Sequence, residues 1–192
     1  MSTTRLVLTS LITLSSIALQ AAEVPLTGSY VLDASHTHVG FAVSHMGYSD
    51  VVGRFNQLEG QVKVDANGSA DVEIVIDAAS LDTNHNKRDD HLRSPDFFDA
   101  KQFPTITFSG QTQLNQDRSP TQFEGQLQLL GKSHPVTLAI SKGKEGEDPW
   151  GLYRIGYKAS TTIKRSDFDM NFMQGGIGDE VTLTINLEAV KQ

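Results

Sequence analysis

The sequence predicts a mainly β protein of about eight antiparallel strands, with one or two short helices after the fourth strand region. Three observations carry this. Apolar and polar residues alternate with period 2 in segment after segment. The segments are separated by short, turn-rich connections, which favour antiparallel pairing. One block, Leu81 to Asp99, breaks the alternation and reads as helical. Closing the strands into a barrel removes exposed edges, although a two-sheet sandwich of the same strands stays open.

Ser29 to Asp33 reads as a short first strand, and His38 to His45 follows with Val39, Phe41 and Val43 on one face. Gly53 to Val64 is one long strand, or two with a bend near Gly60. Val72, Ile74 and Ile76 share a face of the next strand, and Ile106 and Phe108 mark another after Pro104. Phe123, Leu127 and Leu129 lead to a turn at Gly131-Lys132, and Val136, Leu138 and Ile140 return from it. Gly143 to Pro149 reads as a charged loop. Tyr153, Ile155, Tyr157, Ala159, Thr161 and Ile163 then share one face, and Val181, Leu183, Ile185, Leu187 and Ala189 close the chain.

The exceptional block packs Lys87, Arg88, Asp89, Asp90, His91 and Arg93 together and ends in Ser94-Pro95-Asp96-Phe97-Phe98. Asp82 or Thr83 is placed to cap a helix there, and Asp89 to Arg93 is a favourable acid-to-base spacing. Ser94, Pro95 and Asp96 then read as a second cap and first turn, planting Phe97 and Phe98 on apolar surface. The expected arrangement is a lid, with Leu92, Phe97 and Phe98 inward and the charges outward.

Residues 1–22 read as a cleavable signal peptide. Arg5 gives a positive start, Leu6 to Leu19 is an uncharged apolar run, and Ala21-Ala22 precede Glu23. The run is short for a membrane span, which needs about 20 apolar residues. The reading is therefore an exported chain, in the periplasm of a two-membrane cell, without an integral membrane span after cleavage. Residues 23–192 have the size of a single domain. A net charge of −7 argues against nucleic acid as a partner. The absence of cysteine excludes disulfides and a lipid-modified cysteine anchor. A homodimer is compatible with the sequence.

No catalytic constellation emerges, and the chain reads as no enzyme. His36 and His38 lie two apart, but no further ligand spacing completes a metal site, so neither metal nor cofactor is expected. A nucleophile elbow is absent, and Asp89 and Asp90 are adjacent, hence divergent on a helix. Gly175-Gly176-Ile177-Gly178 lacks the lysine and strand-to-helix context of a phosphate loop. A small barrel can fill itself with side chains or hold a ligand, and the alternation does not say which.

Several blocks carry a resemblance. One runs from Asp33 through His36, Phe41, His45 and Gly47 to Ser49, followed by Gly53-Arg54-Phe55. Another is the helical block, with Asp82-Thr83-Asn84-His85, Arg88-Asp89, His91-Leu92-Arg93-Ser94 and Asp96-Phe97. Further blocks are Phe103-Pro104 to Phe108, His134 to Leu138, Asp148 to Gly151, and Lys164-Arg165-Ser166-Asp167-Phe168. In this order they resemble the YceI family of secreted lipid-binding proteins over nearly all of residues 23–192. The resemblance implies a lipocalin-like, eight-stranded antiparallel β-barrel around an apolar pore that holds a long isoprenoid, a polyprenyl phosphate or a quinone-like tail. His38 departs from the family pattern, and the family shares no catalytic set.

The expected tail contacts are Phe41, Val43, Phe55, Ile74, Leu92, Phe97, Phe98, Ile106 and Phe108. Arg88, His91 and Arg93 are expected at the mouth or head group, or as an ion-paired lid. The expected function is a periplasmic carrier of an isoprenoid lipid. The alternatives are an enzyme acting on a hydrophobic substrate inside the barrel, and a stress-response protein whose barrel is filled.

Overall fold

Among the described residues, the alternating segments form eleven strands joined in one continuous antiparallel sheet. A computed structural model describes residues 26–115 and 119–192; the expected signal peptide and its cleavage site lie outside them. The strands are β1 (Gly28–Leu32), β2 (His38–His45), β3 (Ser49–Phe55), β4 (Leu58–Val64), β5 (Ser69–Asp77) and β6 (Leu81–Asp82). After helix α1 (Asn86–Leu92) come β7 (Thr105–Gln113), β8 (Gln122–Leu129), β9 (Lys132–Glu147), β10 (Tyr153–Lys164) and β11 (Ile177–Lys191).

Two of the barrel strands are interrupted. β1 and β2 lie end to end along β11, and β4 and β3, which pair with them in turn, lie end to end beside them, so β1 with β2 and β3 with β4 each act as one long strand. The ring is therefore an eight-stranded antiparallel barrel, closed where β11 meets β1 and β2. The two-sheet alternative is excluded by that closure. The short β6 pairs with the end of β3, at Arg54 and Phe55, where β5 has already ended.

Two boundaries differ from expectation. The bend in the Gly53–Val64 segment falls at Asn56 and Gln57 and not at Gly60. There Ser80 takes the Asn56 amide on its carbonyl at 3.1 Å and the Gln57 amide on its hydroxyl at 3.0 Å, so the turn before β6 competes with the ladder. The stretch from Gly143 is strand, not loop, because β9 runs to Glu147. A register shift between Ile155 and Tyr157 accommodates it, with Gly143 and Gly156 backbones in close approach. Only residues 148–152 are left to turn the chain.

One end of the barrel lies where β1 pairs with the end of β11. Tyr30 is fully buried there and donates its hydroxyl to the Leu26 carbonyl at 2.7 Å, among Leu32, Ile155 and Ala189. Outside this end, Arg154 donates to Asp148 Oδ2 at 2.6 Å, Asp33 Oδ2 at 2.7 Å and Glu188 Oε1 at 2.6 Å. Asp33, His36 and Glu188 converge as metal ligands would, but the guanidinium donates to both carboxylates. His38 is not part of the group.

Hydrogen bonds from Ser35, then Arg154 and His36, hold the Asp33 carboxyl well below the usual carboxylate range. Asp148 is lowered mainly by Arg154, whereas His36 is raised by its bond to Asp33. The lowered carboxyls bind fewer protons folded than unfolded, so their stabilisation is complete above the ordinary carboxylate range and is lost as pH falls below it and through their lowered folded values. The raised His36 acts oppositely: its contribution is complete below its ordinary value near 6.5 and is lost as pH rises through the folded value. Thermal melts between about pH 5 and pH 2 should show a falling midpoint. The fall should be shallower in Arg154→Ala.

Candidate ligand cavity and its mouth

The barrel interior is hollow. A cavity of about 570 Å³ runs along it, within the range of roughly 300–1,000 Å³ typical of small-molecule sites. Its wall is overwhelmingly apolar and takes residues from every side: Val39 and Phe41 of β2, Ile74 and Ile76 of β5, Leu127 of β8, Ile140 of β9, Ala159 of β10 and Leu183 to Leu187 of β11. Inward residues such as Val72, Ile140, Tyr157, Val181, Ile185 and Leu187 are only partly buried, because the space they face is empty of side chains. A filled barrel is thereby excluded.

The lining residues that are also solvent-exposed mark the mouth. They are His45, Ser49, Asp50, Val52, His91 and Met173, all at the end opposite Tyr30. The β2–β3 hairpin, α1 and the loop before β11 surround it. The Met46 amide donates to the Gly176 carbonyl at 2.7 Å, tying hairpin to loop. Polar wall groups gather here too, with Thr83, Arg88 and Arg165.

All nine expected tail residues lie on the cavity wall: Phe41, Val43, Phe55, Ile74, Leu92, Phe97, Phe98, Ile106 and Phe108. Phe98 joins α1's downstream turn to the barrel, edge-on to Phe55 with centroids 5.7 Å apart and 6.4 Å from Phe41. Phe41 lies across the partner strand because Gly53 stands beside it; a Cβ at Gly53 would come within 2.4 Å of the Phe41 ring. Gly53→Val should therefore displace Phe41 and destabilise the barrel by about 1–3 kcal/mol, read as a lower denaturant midpoint.

Of the three expected mouth residues, Arg88 and His91 line the cavity and Arg93 does not. Arg93 donates to the Ala79 carbonyl at 2.7 Å and the Leu81 carbonyl at 2.8 Å, with Asp90 at 3.2 Å, so it staples α1 to the strand segment before it. Neither does Asp89 pair with Arg93. Asp89 is buried and accepts the Thr83 amide at 2.9 Å and the Thr83 hydroxyl in a short bond. Arg88 donates to the same hydroxyl and to the Thr83 carbonyl, both at 2.7 Å. The charges of the lid are thus partly inward, engaged with backbone.

The helix cap also differs from expectation. Asp82 is used by the Asn84 amide and Thr83 by Asp89, so His85 caps α1, accepting the Arg88 amide on Nδ1 at 3.2 Å. Asn84 at φ 61° turns the chain into that position. Ser94 does accept the Asp96 amide, at 3.3 Å. His91 Nε2 lies 2.8 Å from Asp96 Oδ2, with its ring edge-on to Phe97 and Phe172. Asp89→Ala strands a buried Thr83 amide and should cost about 1–3 kcal/mol. Faster amide exchange in α1 than in the barrel strands would show the loss to be local to the lid.

The family model of the YceI-like domain matches residues 30–189, which is most of the chain. The chain belongs to the YceI-like family. A UPF0312 protein of Shewanella denitrificans is 39% identical over 167 residues, 85% of this chain and 87% of its own length. The Campylobacter jejuni YCEI protein superposes with a TM-score of 0.69 at 31% identity, covering 84% of this chain and 96% of that one. A polyisoprenoid binding domain from Saccharophagus degradans, implicated in plant cell wall breakdown, superposes with a TM-score of 0.67. Coverage is 85% and 98%, but identity is 18%, so that likeness is one of fold.

One residue that shapes this YceI-like mouth has no role in the sequence reading. Arg165 is buried, and its guanidinium donates to the carbonyls of Gly178 (2.8 Å), Met170 (2.6 Å), Phe172 (2.9 Å) and Ile177 (3.1 Å). Burial lowers its pKa, opposed by Asp179. The loop it holds supplies Met170, Met173 and Ile177 to the cavity wall. The signal was present: the inward series from Tyr153 to Ile163 continues by two to an arginine.

Proposed function

We propose that this protein binds and carries a long-chain isoprenoid lipid, a polyprenyl phosphate or quinone-like molecule, with the tail in the barrel and the head group at the mouth. The observation that carries the reading is the division of the cavity: a long apolar wall, with most of its polar groups (His45, Ser49, Asp50, Thr83, Arg88, His91 and Arg165) at the open end. A tail gains on the order of 0.8 kcal/mol per buried methylene relative to water. A bilayer already supplies that gain, so a carrier needs a cavity about as apolar as lipid and an end through which the tail enters. Phe41, Val43, Phe55, Ile74, Ile106 and Phe108 would line the tail from the barrel, and Leu92, Phe97 and Phe98 from the lid.

Binding is favoured over catalysis because three of the titratable groups at the mouth are already engaged, while His45 and Asp50 are exposed at its edge. Arg88 is held by Thr83, His91 by Asp96 and Arg165 by four carbonyls. The polyisoprenoid binding domain of the same fold supports the ligand class. The proposed place of action is the periplasm, supported by the Arg5 and Leu6–Leu19 leader pattern.

Titrating delipidated protein with polyprenyl phosphates and quinones of increasing tail length tests this. Saturable one-to-one binding that tightens with tail length is expected. Affinity independent of tail length would contradict it.

A further inference from the structure

The mouth is surrounded by apolar side chains that the barrel itself does not bury. Tyr48 is 87% exposed, Val52 63%, Met46 57%, Met173 47% and Phe172 37%. They come from two segments held together: the hairpin tip at residues 46–48 is tied to the loop before β11 by the Met46–Gly176 bond, and Phe172 is fixed 5.3 Å from both His91 and Phe97. Hydrophobic side chains scattered singly are normal on a surface, but a collar of them around one opening marks an interaction face. Met173 belongs at once to the exposed collar and to the cavity wall, and Val52, whose side chain faces outward opposite Ala42, borders the opening, so the apolar surface is continuous from outside to inside.

We propose that this collar seats the open end of the barrel in the interfacial layer of a lipid bilayer, so that a tail passes between membrane and cavity without crossing water. The proposal rests on the isoprenoid-carrier reading, since continuity with the cavity is what selects a bilayer over a protein partner. Tyrosine suits that depth because its ring is apolar and its hydroxyl is wet. The chain's net charge of −7 opposes recruitment by anionic head groups, so insertion of the collar must supply the attraction. Docking should then occur on neutral lipid and persist in salt.

The test is flotation of the processed chain with neutral phosphatidylcholine vesicles, alongside binding of a soluble fluorescent farnesyl probe without vesicles. The double substitution Met46→Ser/Tyr48→Ser removes two collar side chains that do not line the cavity. The wild type should float with vesicles equally at low and at about 1 M salt, where surface charge is screened within about 3 Å. The double variant should partition at least about tenfold less, from the lost apolar burial, with its probe affinity unchanged. Wild-type protein that binds the probe but does not float overturns the docking proposal and leaves the carrier reading standing. Flotation without probe binding overturns the carrier reading instead. A variant that floats like the wild type, or docking abolished by salt, overturns the role of the collar. Sedimentation as a dimer that the same substitution breaks, with no effect on flotation, would assign the surface to a second copy and likewise overturn it.

Discussion

Ala159→Phe is expected to abolish tail binding while leaving the barrel folded. Ala159 faces inward from β10, between Ile140 of β9 and Ile185 of β11, and all three line the cavity. In a packed core the added ring would cost about 1–3 kcal/mol through overpacking. Here it projects into empty space, so stability should stay within about 1 kcal/mol of wild type. The ring occupies the path of the tail, and affinity for a long-chain prenyl ligand should fall at least about a hundredfold, roughly 2.7 kcal/mol. Denaturant unfolding and ligand titration of the same preparation check both halves. A strongly destabilised variant would mean that the interior is filled; a stable one with wild-type affinity would place the tail elsewhere.

Arg165→Met should have the largest effect on stability of any change at the mouth. Methionine keeps most of the apolar stem but removes every donor from four carbonyls, at Met170, Phe172, Ile177 and Gly178. Leaving buried acceptors unmet costs about 1–3 kcal/mol each when no water replaces the donor. Part of the loop is exposed and will rehydrate, so a total near 3–5 kcal/mol is expected, read from the denaturant midpoint. Arg165→Lys should recover little, since an ammonium lacks the planar fork that reaches several carbonyls together. A midpoint shift below about 1 kcal/mol for Arg165→Met would show that the loop holds itself.

The strands were legible because a barrel wall imposes period 2 on every stave. Val39, Phe41 and Val43, or Val181 to Leu187, announce one face without help from distant residues. The apolar site was legible for the same reason, since inward residues line the cavity. Its emptiness was not legible. Ile140, Leu183 and Ile185 would read identically in a filled barrel, because the volume enclosed depends on closure and strand tilt. The lid was legible as a helix and misread in its charges. Spacing suggested Asp89 with Arg93, yet Thr83 draws Asp89 inward and the carbonyls of Ala79 and Leu81 draw Arg93 away from the mouth. Backbone carbonyls left by an irregular chain path are invisible to side-chain spacing. Arg165 was overlooked on the same account, although its place in an inward series was the available clue.

The charged block from Leu81 to Asp99 therefore works as an anchor for apolar residues. Arg88, Asp89 and Arg93 fasten it to the segment from Ala79 to Thr83, and that fastening sets Leu92, Phe97 and Phe98 against the cavity. Phe172 of the collar lies beside it, 5.3 Å from Phe97.

The measurement that bears most directly on the central claim is mass spectrometry of lipid extracted from the protein after purification from its native compartment without detergent. One long-chain isoprenoid per protein molecule is expected, depleted at least about tenfold in Ala159→Phe purified in parallel. A wild-type protein that carries no lipid and takes up none from vesicles would contradict it.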